Sequence, residues 1–134
     1  MTKMSISYEG QLRCKAIYSQ SGEIIRTDAP LDNNGRGESF SPTDLVATAL
    51  ASCMITVMGI SAEKNGIEIG KIEADVEKTM ASEPRRVQKV QIELRMRAKL
   101  NESERKRMES VARNCPVAKS LNPELIQDIT FTYV

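Results

Sequence analysis

Cys53 and Cys115 are the residues of this chain whose types and settings best suit chemistry. A thiol is either a small inert hydrophobe or a nucleophilic, redox-active group, and its surroundings decide which. Cys53 sits in the uncharged run SPTDLVATALASCMITVMGISA apart from one Asp near its start, and Cys115 stands directly before a proline in ARNCPVAKSL. Pro116 suits the first position of a short helix and puts Cys115 at its N-cap, where the macrodipole and free N–H groups stabilise a thiolate. Arg113 and Lys119 add nearby positive charge. Local physics therefore marks Cys115 as the more activated thiol, against the plain alternative of a buried cysteine that fits the turn before Pro116. Nothing local would ionise Cys53, which lies mid-helix. Read locally it is a small core residue of an Ala-rich helix, and a reactive Cys53 needs a cation from elsewhere in the fold. Cys14 alternates with strand core residues and reads as structurally buried.

Other chemistries fall away. The chain has no histidine, which removes His-based catalysis and His-based metal ligation. Three distant cysteines make a poor zinc site, so neither a metal nor a cofactor is expected. Nineteen Lys and Arg against 18 Asp and Glu leave a net charge of +1, which does not favour nucleic acid as a partner. An odd, sparse cysteine count with no apolar segment in MTKMSISYEG predicts a reduced, cytoplasmic protein without a signal peptide. Residues 45–62 carry no charge, but Thr48, Ser52, Thr56, Gly59 and Ser61 among the alanines argue for a buried helix over a membrane span.

The elements that must position the thiols read as α+β in a single domain of 134 residues. Five aromatics and no Trp mean that the core is built from Ala, Val, Ile, Leu and Met. Residues 11–18 alternate with Leu12, Cys14, Ala16 and Tyr18 on one face, Ser21-Gly22 signals a turn, and residues 23–27 form the returning strand. A Gly-, Asn- and Asp-rich loop covers 29–40. Ser41, Pro42 and Asp44 open the long helix as N-cap, first position and the acid of a capping box, and Asn65-Gly66 ends it. This helix is apolar almost all round, so it needs cover on several faces, more than so small a domain readily supplies. Strands are expected over 71–79, with Ile72, Ala74 and Val76 inward, and over 90–100, joined as an antiparallel hairpin through MASEPRR. Asn101 and Glu104 open a second helix that ends near Asn114, Pro116 starts a third, and residues 128–134 form a last strand with Ile129, Phe131 and Tyr133 on one face.

SPTDLVATALASC, with Pro42 eleven residues before Cys53, and CPVAKSL about 60 residues later resemble the OsmC/Ohr family of peroxide-handling proteins. EPRRVQKVQIELRMRAKL is similar to the strand that follows a P-R loop in that family, and YEG to the aromatic–x–Gly of its first hairpin. The resemblance implies an intertwined homodimer in which antiparallel sheets wrap two long central helices, which would cover the all-round apolar helix. It implies reduction of organic hydroperoxides, with Cys53 as the attacking thiolate, Cys115 as the resolving thiol and an external dithiol, lipoyl-type or a small thiol, as reductant. That order reverses the local reading of the two thiols.

The best-studied branch of the family places an Arg and a Glu around the attacking cysteine, with the Glu directly after the Pro. Here that position is Thr43, and the acid is Asp44, as in a less characterised branch. Nine residues of helix separate Asp44 from Cys53 by about 13.5 Å and roughly half a turn. Asp44 therefore acts across a dimer or is only a helix cap. Arg13, after YEG, is the matching arginine by position, with Arg85 and Arg86 as alternatives. An apolar pocket lined by Met54, Val57 and Met58 would favour alkyl hydroperoxides. The rival readings are a non-peroxidatic protein of the same fold that binds a small apolar or thiol ligand, motivated by Thr43 and Asp44, and a protein whose three cysteines are all core residues.

Overall fold

The longest element grows from its caps. In the computed structural model, which describes residues 1–134, helix α1 runs over Pro42–Lys64. Ser41 Oγ accepts from the Asp44 N–H at 3.1 Å while Asp44 Oδ2 accepts from the Ser41 N–H at 2.9 Å, a reciprocal capping box with Asp in place of Glu. At the other end Gly66, at φ 64°, takes the left-handed conformation that ends helices, and the Ile67 N–H returns to the Ala62 carbonyl at 2.9 Å.

The chain divides into two compact units, Met1–Val46 and Ala47–Val134. The first holds an antiparallel sheet of β1 (Met4–Gly10), β2 (Arg13–Tyr18) and β3 (Ile24–Asp28) in that order. β1, which ends in the YEG of the first hairpin, pairs Tyr8 with Cys14 and Ile6 with Ala16. Gln11 and Leu12 make the connecting turn at φ 54° and 62°, a left-handed pair that costs non-glycine residues about 1–2 kcal/mol each. Its buried side chains are polar, Asp28 and Ser41; every fully buried apolar residue of the chain lies at Ala47 or beyond. Met4, Ile6 and Tyr8 are about 60% exposed or more, so the expected burial of this face does not occur within one chain, and Cys14 among them is half-buried.

The second unit carries the core. β4 (Ile72–Ala81), β5 (Arg86–Met96) and β6 (Ile126–Tyr133) form a sheet in sequence order, with helices α2 (Glu102–Arg113) and α3 (Pro116–Ser120) between β5 and β6. Val90, Ile92, Leu94 and Met96 of the central strand are buried, as their alternation predicts, and cluster with Leu50, Met54 and Met58 of α1 and Met108 of α2. On the opposite face Arg95 bonds Asp75 at 2.6 Å and Arg97 bonds Glu73 at 3.2 Å. Val76, expected inward, is exposed on β4, which is an edge strand.

The architecture is the expected α+β, with one difference in pairing. β4 and β5 are antiparallel, but β6 joins β5 parallel. The crossover through α2 and α3 returns the chain to the starting end of the sheet, and a parallel partner follows from that. β5 also begins and ends four residues earlier than the alternation suggested. Residues 97–100 still alternate in type but have left the ladder, because Asn101 already caps α2 with Glu104 in a full capping box. Helix α1 is long and apolar enough to cross a membrane by length and composition, yet it supplies six residues to this core.

Candidate functional site

Cys53 and Cys115 meet. Cys53 projects half-buried from the middle of α1, and Cys115, buried at the N-cap of α3, has the Cys53 thiol as a hydrogen-bonding neighbour. Both lie in the Ala47–Val134 unit and both are free thiols. The contact is made by α1 and the α2–α3 junction, which the core cluster packs together.

The electrostatics of Cys115 correct the local reading. Its sulfur does accept from the Ala118 N–H at 3.4 Å, as an N-cap should. Burial nevertheless pushes the thiol up from its ordinary value; the N–H groups of Ala118 and Val117 pull the other way, and the adjacent Cys53 thiol raises it further. Neither flanking cation helps. Arg113 stacks 5.2 Å from the Phe131 ring centre and donates to the Ile129 carbonyl at 3.4 Å, while Lys119 is exposed to water. Cys115 is therefore not an activated thiol in the reduced protein.

Beside Cys115 opens a groove of about 390 Å³ with Val57, Ile60 and Val111 as apolar walls and Lys64 and Asn114 as polar ones. Val57 lines it as expected. Met54 and Met58 do not: both are fully buried in the core. An apolar run without period could not tell the core side of α1 from its groove side. No group of three or more His, Cys, Asp or Glu side chains converges as a metal site requires.

The charged candidates lie as follows. Asp44 is engaged in the cap with Ser41. Arg86 closes its own hairpin by donating to the carbonyls of Ser82 and Pro84 at 3.2 and 2.9 Å, and Arg85 belongs to the same turn. In the Met1–Val46 unit, Arg13 pairs with Asp28 at 3.4 Å and Glu38 at 3.1 Å. Asp28 is the residue the sequence reading missed. It sits opposite Arg13 in the β2–β3 register and is 1% exposed. The Glu38 N–H, donating at 3.1 Å, holds its carboxyl below the usual range; Arg13 adds to this and burial opposes it. Gly35 lets the loop carrying Glu38 close up, since a Cβ there would fall 1.7 Å from the Ala29 carbonyl oxygen. A lone Asp at a strand end gives no sequence signal of this role.

With the geometry in place, comparison with known proteins adds the following. The family model described as OsmC-like protein matches residues 35–128. A Psychrobacter arcticus 273-4 structure, provisionally named an osmotic stress induced and detoxification response protein, is 46% identical, with TM-score 0.93, covering 98% of this chain and 96% of that one. An OsmC-like protein of Mycoplasma pneumoniae superposes at TM-score 0.83 with 19% identity, over 100% of this chain and 97% of the other. An organic hydroperoxide resistance protein OsmC of Legionella pneumophila superposes at 0.79 with 15% identity, over 98% and 96%. At these last two identities the likeness is one of fold. No curated protein matches the chain.

Proposed function

Since the chain belongs to the OsmC-like protein family, we propose that it is a thiol-dependent peroxidase that reduces organic hydroperoxides through Cys53 and Cys115. The observation that carries this reading is the pairing of two free thiols far apart in sequence, one of which, Cys115, lines a groove. The names of a Psychrobacter relative, which mentions detoxification, and of a Legionella fold neighbour, which mentions organic hydroperoxide resistance, agree with it.

Cys53 is the attacking residue in this scheme. It is the less buried of the two sulfurs, whereas burial keeps Cys115 protonated. The Cys53 thiolate attacks the terminal oxygen of the hydroperoxide, the O–O bond breaks, and the alcohol leaves with a proton. Cys53 becomes a sulfenic acid, and Cys115 condenses with it to a disulfide and water. An external dithiol, lipoyl-type or a small thiol, then exchanges with the disulfide and restores both thiols. Arg13, held by Asp28 and Glu38, is the cation we assign to thiolate stabilisation, from its place after YEG. Asp44 is read as the cap of α1. The protein acts as a single-domain cytoplasmic homodimer: Met4, Ile6 and Tyr8 present an apolar sheet face that a second copy would cover.

A second reading keeps the fold and makes the groove beside Cys115 a binding site for a small apolar or thiol ligand, with no turnover. Thr43 in place of the acid of the best-studied branch favours it. The deciding experiment follows consumption of an alkyl hydroperoxide with a dithiol by wild type, Cys53→Ser and Cys115→Ser. Turnover lost in Cys53→Ser, with sulfenic acid trapped on Cys53 in Cys115→Ser, supports the peroxidase. No consumption by folded wild type moves the assignment to the binding protein.

A further inference from the structure

The residues on either side of Cys115 are tied to one strand. Arg113, two positions before it, donates to the Ile129 carbonyl at 3.4 Å and stacks on Phe131 at 5.2 Å. Ala118, three positions after it, gives its N–H to the Cys115 sulfur at 3.4 Å, and its carbonyl accepts from Gln127 Nε2 at 3.1 Å. Gln127, Ile129 and Phe131 are alternate residues of β6, and Gln127 pairs in register with Val90 of the central strand. The anchor is thus continuous with the most buried strand of the sheet.

Helix α3 cannot hold this geometry alone. It has five residues, far fewer than an isolated helix needs. Cys53, in contrast, sits inside a 23-residue helix whose hydrogen-bond ladder fixes its backbone. A disulfide draws its sulfurs to about 2.05 Å, so the adjustment on bond formation falls on the Cys115 side.

We propose that Gln127 is a positioning residue for closure of the Cys53–Cys115 disulfide: its hydrogen bond to Ala118 holds the start of α3 where the Cys115 sulfur can reach Cys53. The origin of the sulfenic acid rests on the peroxidase reading above; the anchored thiol pair does not. In the closing step the Cys115 sulfur attacks the sulfur of the Cys53 sulfenic acid, the S–S bond forms as the S–O bond breaks, and the departing hydroxide leaves as water with the Cys115 proton. A loosened α3 lowers the effective concentration of one sulfur at the other, so rate and equilibrium fall together.

The test uses the full chain with Gln127→Met, of similar size but without the donor, and Gln127→Glu, which offers only acceptors at neutral pH and serves should the first fail to fold. Disulfide content is measured at equilibrium with dithiothreitol, alongside Tm, and dimedone trapping of Cys53 follows cumene hydroperoxide. The equilibrium constant for disulfide formation should fall about fivefold, the net worth of one hydrogen bond, and trapped sulfenic acid should rise. An unchanged equilibrium constant in a folded variant, even one with a lower Tm, makes Gln127 purely structural and overturns the proposal, as does a wild type that forms no Cys53–Cys115 disulfide. A shifted disulfide equilibrium in a protein that consumes no peroxide removes the peroxidase reading and upholds the role of Gln127.

Discussion

The Cys115 thiol meets that of Cys53 while its own sulfur caps a helix of five residues. A helix N-terminus is ordinarily a place where a thiol gains acidity. Here burial outweighs the two N–H groups, so the pair consists of a half-buried sulfur on a long helix and a buried, protonated sulfur on a short one.

The first consequence concerns reactivity. In Cys53→Ser, which removes the neighbouring thiol, the pH profile for alkylation of Cys115 should still have its midpoint above that of a free cysteine, because burial is the leading cause of the shift. A midpoint below it would mean that the helix N–H groups prevail.

Asp28 gives a pH signature. Its carboxyl titrates below the ordinary value in the folded chain, so its ionised form contributes stability above the unfolded-state pKa, and that contribution is lost as pH falls through the folded one. Asp28→Asn should lower Tm by several degrees at pH 7, and the gap to wild type should close below about pH 4. A gap that stays constant with pH would show that the charge on Asp28 is not what stabilises.

The cap of α1 separates structure from chemistry. Ser41→Ala should cost about 1 kcal/mol in urea unfolding. Asp44→Asn keeps an oxygen that can accept from the Ser41 N–H but removes the negative charge from the first turn of α1, so Tm should fall modestly while peroxide turnover stays near wild type. A large loss of turnover in folded Asp44→Asn would make Asp44 a participant in the reaction.

The exposed face of β1 predicts assembly. Ile6→Glu places a charge in the middle of Met4, Ile6 and Tyr8. Sedimentation should show wild type as a dimer and the variant shifted toward monomer at micromolar concentration. Equal mass for both would move the contact to another surface.

Much of the scaffold could be read from local chemistry. Ser41, Asp44 and Asn65-Gly66 bracket α1, and Asn101 with Glu104 opens α2, because caps act within one turn. The meeting of Cys53 with Cys115 was legible only through resemblance to a family, since the contact is tertiary. The acidity of Cys115 was misread for the same reason. Arg113 looks like a neighbouring charge in the sequence, but the fold sends it to Phe131, and burial has no local signal. Asp28 escaped notice because its partners, Arg13 and Glu38, arrive from a facing strand and a loop.

The Met1–Val46 unit folds a three-stranded sheet without one fully buried apolar side chain. Hydrophobic burial is the main force that offsets chain entropy, so such a sheet draws its order from whatever covers it. If that cover is a second copy, concentration becomes a variable of folding itself. Dilution would melt the N-terminal strands before the Ala47–Val134 core, and Tm would climb with protein concentration by mass action. The Arg13–Asp28 pair of the β2–β3 register would then loosen on dilution while Cys53 and Cys115 stayed together in the Ala47–Val134 unit.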